Sequence, residues 1–227
     1  MLARIAGAAH GVATRTELLE AGLTLAEIRQ RLAIGALLRE YPGVYRVGHR
    51  APSMEARYLA AARACGGGAL LSGPAAGHLL GVLGGSAPAP EVEPRTERRV
   101  DGIVTHRSRR LDMRDGTVWR GVPVTTAART LVDIAAFLDV DRLARACHEA
   151  GVLHRTTPAQ VEAVLARRPN SRGAAKLRRV LRGDERVTLS KLDRGFLLRL
   201  NGDVFEDPAL MVAELRDLLI RRPGLVS

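Results

Sequence analysis

Hydrophobic and polar positions in the first 50 residues predict two short helices followed by a β-hairpin. Thr14 and Thr24 each stand three residues before a glutamate, in the T-x-x-E pattern of a capping box that begins a helix. We expect the first helix to end at Gly22 and the second, which begins at Leu25, to end at Gly35. Two apolar runs that flank a Tyr-Pro-Gly turn then predict the hairpin over residues 37–47.

This order of elements is typical of a winged helix-turn-helix, and the faces of the second helix fit that arrangement. At about 100° per residue, its apolar side comprises Leu25, Ile28 and Leu32. The expected partners of that side on the first helix and turn are Leu18, Leu19 and Leu23. The opposite side is polar and can meet DNA. A small amphipathic helical bundle with a solvated outer face is the alternative.

The polar side of the second helix supplies most of the candidate DNA contacts. Gln30 can pair with adenine in the major groove, and Arg29 and Arg31 flank it where phosphates would lie. Glu27 is a weaker base reader because the capping box already uses it. The full set of predicted DNA-binding residues is Thr14, Arg15, Thr24, Ala26, Arg29, Gln30, Arg31, Arg39 and Arg46.

The remaining chain predicts helices beside a small sheet. Ser53 and Ser72 can each cap a helix, over residues 54–64 and 73–83, and three short extended runs follow, at 91–93, 103–106 and 122–124. We therefore predict a mainly α fold with small β structure (α+β). Its regions are a winged helix-turn-helix over 1–50, a mixed α/β middle over 51–125 and a helical part over 126–227.

The helical part contains a series of capping signals. The predicted helices cover residues 126–137, 142–150 with Asp141 as cap, 173–182, 188–200 and 207–221, and a Thr157–Gln160 capping box begins another at Pro158. A further helix is expected over residues 2–9, at the start of the winged unit.

Composition adds a strong positive charge. The net charge is +11, and all but two of the 35 basic residues are arginines, which suits a polyanion but also reflects GC-rich coding. A basic cluster at Arg107, Arg109, Arg110 and Arg114, and a basic stretch between Arg155 and Arg186, are explained equally well as solvated surface. Aromatic residues make up only 3%, which argues against stacking platforms for single-stranded nucleic acid.

Motifs for enzyme chemistry are not found in the sequence. It contains no P-loop, nucleophile elbow or H-E-x-x-H pattern. Cys65 and Cys147 lack partners at metal-ligand spacing, so we expect two buried thiols and no metal or cofactor. His78 is expected to be a satisfied core or edge histidine. With no signal peptide or spanning segment in view, a cytoplasmic protein with no membrane contact is expected.

Five stretches together resemble AbiEi-type antitoxin-like proteins, which are frequent in actinobacteria. They are GVATRTELLEAGLTLAEIRQRLAIGALLREYPGVYRVG, MEARYLAAARACGGGALLSGPAAGHLLGVLG, VTHRSRRL, GVPVTTAARTLVDIAA and ARACHEAGVL. The resemblance covers almost all of residues 1–200. It implies a DNA-binding repressor that regulates its own toxin–antitoxin operon, with double-stranded DNA and a cognate toxin as partners. A homodimer that binds two half-sites is a further expectation.

In the long form of this family the C-terminal part is similar to very-short-patch-repair-type endonucleases of the PD-(D/E)XK fold. VTLSKLDRGFLLRL resembles the helix that opens that domain and FEDPALMVAELRDLLIRR the helix that closes it, yet only residues 201–204 lie between. Neither lysine follows an acidic residue in a D/E-x-K. The nuclease core is therefore deleted in this interpretation, and no enzymatic activity is expected. The alternatives are an inactive nuclease relative or a protein-interaction module that binds a toxin.

Overall fold

A computed structural model describes residues 9–48, 53–106 and 111–183 of the 227-residue chain. Within these ranges, eight α-helices accompany two small sheets, so the predicted mainly α, α+β class is confirmed. The helices predicted over residues 188–200 and 207–221 lie outside the described residues. So does the helix predicted over residues 2–9, except for its last residue.

The first unit is a helix-turn-helix completed by a three-stranded sheet. Its elements are β1 (Val12–Thr14), α1 (Arg15–Glu20), α2 (Leu25–Ala33), β2 (Leu37–Tyr41) and β3 (Val44–Val47). The sheet is antiparallel with the order β1–β3–β2, so the hairpin pairs with the strand that leads into α1. The predicted helices and hairpin are confirmed. The strand β1 has only three residues, which is too short for a periodic pattern.

The helix starts of this unit follow the predicted chemistry. The Thr14 hydroxyl accepts from the Glu17 N–H over 3.2 Å, and the Glu17 carboxylate accepts from the Thr14 N–H over 2.7 Å. Thr24 and Glu27 make the same two bonds at the start of α2, over 3.2 and 2.8 Å. Both capping boxes are therefore complete, and they fix where α1 and α2 begin.

A small apolar cluster holds the two helices on the hairpin. It consists of Ala13, Leu18, Leu23, Ile28, Leu37 and Tyr45, with Leu32 packed against it. The prediction that Leu19 and Leu25 also pack inward is wrong, because they are 40% and 48% exposed. Leu19 points about 100° away from its buried neighbour Leu18. Leu25 is the first residue of α2, where a side chain that leans toward the N-terminus extends past the helix end.

The rest of the described chain forms an α+β body. Its first elements are α3 (Met54–Ala64), β4 (Leu70–Leu71), α4 (Gly73–Leu79), β5 (Glu91–Glu93), β6 (Val104–Thr105), a 3₁₀ turn (Met113–Asp115), β7 (Gly116–Trp119) and β8 (Val122–Thr125). The five strands form one mixed sheet in the order β6–β5–β4–β8–β7. All three extended runs predicted from the sequence lie in this sheet.

Four helices follow the sheet. They are α5 (Ala127–Ile134), α6 (Val140–His154), α7 (Pro158–Arg167) and α8 (Ala174–Arg182). The N-cap of α6 is Asp139, whose carboxylate accepts from the Arg142 N–H over 2.8 Å, so the prediction that Asp141 caps this helix is wrong. The Thr157–Gln160 capping box that begins α7 is confirmed. Ser72 precedes α4 but makes no side-chain cap bond, and α4 ends before the predicted residue 83.

One continuous apolar core joins the winged unit to the body. It extends from Val12 and Val44 of the small sheet, through the alanine-rich α3, to Val180 of α8. On α3, Arg63 donates to the Val12 carbonyl over 2.6 Å and to the Glu17 carboxylate over 3.0 Å. The helix α3 therefore fixes the orientation of the winged unit on the body. The same core includes residues on both sides of residue 125, where the sequence predicted a division between the mixed middle region and the helical part.

Candidate nucleic-acid interface

The outer face of α2 is an exposed polar surface of the winged unit. Ala26, Arg29 and Gln30 are exposed, while Ile28 on the opposite face is only 2% exposed. The complete capping box and the buried Ile28 fix both the start of the helix and its rotation. The side chains that the sequence predicted to meet base edges therefore lie together on one surface.

The residues at the edge of this face are partly engaged within α2 itself. Arg31 donates to the Glu27 carbonyl over 3.2 Å, and its guanidinium lies 3.8 Å from the Glu27 carboxylate. Glu27 also accepts from the Thr24 N–H and hydroxyl, and these bonds lower the pKa of its carboxyl below the ordinary value. Thr24 and Glu27 thus act first as helix caps. Arg29 and Gln30 carry the face that remains open.

The start of α1 joins the wing. Arg15 is exposed, its N–H donates to the Gly43 carbonyl in the hairpin turn over 2.8 Å, and its Nε donates to the Tyr45 hydroxyl over 3.4 Å. The hydroxyl of Thr14 serves the capping box. The structure therefore places Arg15 beside the tip of the hairpin.

The two arginines of the wing differ in availability. Arg39 on β2 is exposed. Arg46 on β3 has a side chain only 12% exposed, and its Nε lies 2.6 Å from the Glu40 carboxylate. A guanidinium that is buried and already paired is a weaker phosphate ligand than the sequence suggested. The ion pair instead braces β2 against β3.

A cleft that the sequence did not predict lies beside the winged unit. It has a volume of about 770 Å³. One wall of the cleft belongs to the winged unit and consists of residues 14–17, at the start of α1, and residues 42–44 of the hairpin turn. The other wall belongs to the body and includes residues 62–64, residues 66–69 and Arg98. In the sequence, the run Gly66-Gly67-Gly68 marks a loop after α3. A glycine run alone does not show which side chains lie opposite it, so it could not predict the cleft.

The other basic segments are largely paired within the protein. In the stretch between Arg155 and Arg186, Arg167 contacts Asp112 and Asp115, and Arg168 contacts Glu93. Arg178 pairs with Glu162 over 2.7 Å. This stretch is therefore not a free basic face. In the cluster near residue 110, Arg114 pairs with Asp112, whereas Arg107, Arg109 and Arg110 lie outside the described residues.

Other candidate chemistry is sparse in the part of the chain that the structure describes. That part contains no group of three or more His, Cys, Asp or Glu side chains that could hold a metal ion. It also contains no helix with the length and apolar character that a membrane crossing requires. Cys65 and Cys147 are buried free thiols, as predicted, and His78 is satisfied by the Met54 sulfur and the Gly85 carbonyl.

A second cleft, of about 620 Å³, is lined by residues of β7 and of the helices α5, α6 and α7. It includes Trp119, whose ring centroid is 4.8 Å from that of His154 in an edge-to-face arrangement. Two of its arginines, Arg114 and Arg167, are bound to Asp112. The cleft beside the winged unit is therefore the more open of the two to an anionic partner.

The described residues thus form a helix-turn-helix with a three-stranded sheet, fixed on an α+β body. No protein-family model and no curated protein matches the chain. Among solved structures, the chain is similar to the Rv2827c protein from Mycobacterium tuberculosis, with 19% identity and a TM-score of 0.48. That likeness covers 98% of this chain and 81% of the other. A likeness of this level carries no argument about function.

Proposed function

We propose that the protein is a DNA-binding transcriptional regulator that acts as a repressor. In this proposal α2 enters the major groove of double-stranded DNA, and the β2–β3 hairpin serves as the wing. A repressor needs no chemistry of its own, because occupancy of a promoter suffices. The protein is accordingly not an enzyme in this proposal.

One observation carries the proposal, which is the fixed and exposed polar face of α2. A helix that reads bases must present its side chains in one register, because a base-edge hydrogen bond tolerates little displacement. Ala26 leaves room for close approach, Gln30 offers both a donor and an acceptor to adenine, and Arg29 can meet phosphate. Arg15 and Arg39 add backbone contacts on either side.

The resemblance to AbiEi-type antitoxins extends the proposal to its biological setting. It would make the chain a cytoplasmic regulator of its own toxin–antitoxin operon, with a cognate toxin as protein partner. Two copies bound to two half-sites would raise the specificity for an operator. The missing nuclease core of the long form is then of no consequence for DNA binding.

The test is fluorescence anisotropy of the purified full chain on duplex DNA from upstream of its own gene. A scrambled duplex of equal length serves as competitor. Gln30→Ala should lose about 1–3 kcal/mol of preference for the upstream duplex and leave the scrambled one unchanged. Arg29→Ala should weaken binding to both duplexes and flatten the salt dependence.

The control for charge is Arg145→Ala, because Arg145 is equally exposed but lies on α6, away from the winged unit. It should bind like the wild type. Equal, weak and salt-sensitive binding of the wild type to both duplexes would refute the repressor and reduce the +11 charge to nonspecific attraction.

Exposed apolar side chains favour one second candidate, a protein-binding winged unit. Leu19 is 40%, Leu25 48% and Ile34 69% exposed on or beside the two helices. Such residues suit a partner protein better than a phosphate backbone. A protein that ignores DNA but co-purifies with the product of a neighbouring gene, and loses it on Leu25→Ser, would favour this candidate over the repressor.

A further inference from the structure

We infer that the cleft between the winged unit and the Gly66–Gly68 loop holds a stretch of DNA backbone, with Arg98 of the body as a phosphate ligand. This inference rests on the proposed function and extends it, because it places a DNA contact outside the helix-turn-helix. The ligand chemistry is that of a phosphodiester, without regard to base sequence.

The first support is the composition of the cleft wall that belongs to the winged unit. This wall consists of the start of α1, with Arg15, and the hairpin turn, with Gly43. The Arg15 N–H donates to the Gly43 carbonyl over 2.8 Å and joins the two segments. In a helix-turn-helix the first helix crosses the DNA backbone, and wings approach it as well. A duplex seated on α2 would therefore bring its backbone to the mouth of this cleft.

The second support is the charge that remains unpaired in the cleft. Arg63 and Glu17 both line it, but they neutralise each other across 3.0 Å. Arg15 forms a hydrogen bond to a neutral tyrosine only. No carboxylate among the described residues lies within ion-pair distance of Arg98, which is exposed. The cleft thus keeps two arginines, one from each wall, for an anion.

The third support is the way the glycine loop positions the body's arginines. A Cβ at Gly66 would lie 3.4 Å from the Arg98 guanidinium, and a Cβ at Gly68 would lie 2.4 Å from the Arg95 side chain. Both glycines also have positive φ, +99° and +77°. The loop therefore lets these side chains lie directly over its backbone, and Arg98 reaches the cleft from that position.

The experiment compares Arg98→Ala with Arg99→Ala in the full chain. The two residues are adjacent and exposed and carry the same charge, but only Arg98 lines the cleft. Each variant is titrated against the upstream and the scrambled duplex, from 50 to 200 mM salt. Thermal unfolding confirms that both variants are folded.

We expect Arg98→Ala to weaken binding to both duplexes by the same factor. The slope of log K against log salt should become less negative by about 0.9. The ratio of wild-type to variant affinity should therefore be about threefold smaller at the highest salt concentration than at the lowest. Arg99→Ala should match the wild type. Equal behaviour of Arg98→Ala and Arg99→Ala would overturn the inference.

The Gln30→Ala variant separates this inference from the proposed function. If Gln30→Ala loses the sequence preference and Arg98→Ala has no effect, the phosphate contact in the cleft is refuted and the proposed repressor function stands. If Arg98→Ala loses affinity equally for both duplexes and the wild type shows no sequence preference, the phosphate contact is supported and the repressor function is refuted. A wild type that binds neither duplex would overturn both.

Discussion

Nη2 of Arg129 donates to the carboxylate of Glu93, and the two side chains are only 4% and 3% exposed. The same guanidinium also contacts Asp115 over 3.1 Å and Asp133 over 2.8 Å. One buried arginine on α5 thus serves three carboxylates, from β5, the 3₁₀ turn and its own helix. Arg167 and Arg168 at the end of α7 balance the excess negative charge.

Replacement of Arg129 should be among the most damaging single changes in the body. Arg129→Met would keep much of the side-chain volume but remove the one guanidinium that contacts all three carboxylates of the cluster, and only Arg167 and Arg168 would remain to balance their charge. We expect it to lower the free energy of unfolding by about 3–5 kcal/mol. Urea denaturation followed by circular dichroism measures this. Arg178→Met, which breaks the exposed pair with Glu162, should cost less than about 1 kcal/mol. Equal losses in the two variants would contradict this account of the cluster.

As the pH falls, the first turn of α2 should lose stability before the first turn of α7. The pKa of Glu27 is lowered by its hydrogen bonds from Thr24, so ionised Glu27 stabilises the folded state. That contribution is present above the ordinary pKa of 4.5 and is lost as the pH falls through the lower folded value. The capping box of α7 uses Gln160, which does not titrate.

The measurement is amide hydrogen exchange by NMR between pH 5 and 2, compared at the first turns of the two helices. Protection at the start of α2 should fall relative to that of α7. Glu27→Gln should remove the difference, since a glutamine completes the same box in α7. A Glu27→Gln protein that loses protection in parallel with the wild type would show that another group is responsible.

Two glycines with similar backbone angles should respond differently to alanine. Gly173 has φ +80°, and a Cβ there would lie 2.5 Å from the Ala135 carbonyl oxygen, whereas Gly35 has φ +73° and open space around it. Gly35→Ala carries only the conformational strain, about 1–2 kcal/mol. Gly173→Ala adds a clash with backbone and should cost at least about 3 kcal/mol. Chemical denaturation of both variants tests this, and equal costs would rule out the close approach to Ala135.

Both cysteines should resist thiol reagents in the folded protein. Burial raises the pKa of Cys147 to about 12 and also raises that of Cys65, so few thiolates form near neutral pH. Labelling of Cys147 with a disulfide reagent should be at least about a thousandfold slower than in denaturant, and labelling of Cys65 should also be slower. Cys147→Ala isolates the rate at Cys65. Rapid labelling of one thiol in the native wild type would show that its surroundings open readily.

Local signals in the sequence predicted several helices well because those helices carry their own side-chain caps. The capping boxes at Thr14, Thr24 and Thr157 all lie where their side-chain spacing placed them. At α6 the sequence predicted Asp141 as the cap, whereas the helix begins two residues earlier and Asp139 caps it. The two-residue strand β4 is defined by its neighbours β5 and β8 rather than by any pattern of its own.

Long-range chemistry was harder to predict. The arginines near residue 168 were interpreted from the sequence as part of a basic surface, yet Arg167 and Arg168 turn toward Asp115 and Glu93, more than 50 positions earlier in the chain. In the candidate interface, the exposed face of α2 followed from helical periodicity. The pairing of Arg46 with Glu40 depends on the register of the hairpin strands, and the approach of Arg98 to the glycine loop depends on a contact between segments about 30 residues apart.

The contacts of α3 join the winged unit and the body into one rigid unit. Arg63 binds β1 and α1 through hydrogen bonds, and the apolar side of the same helix is buried in the core of the body. The orientation of α2 is therefore fixed relative to the body. In the proposed function, a ligand bound to the body would act on DNA binding by moving the winged unit and the body together. For two copies on one operator, the contact between their bodies would then set the spacing of the sequences that they read.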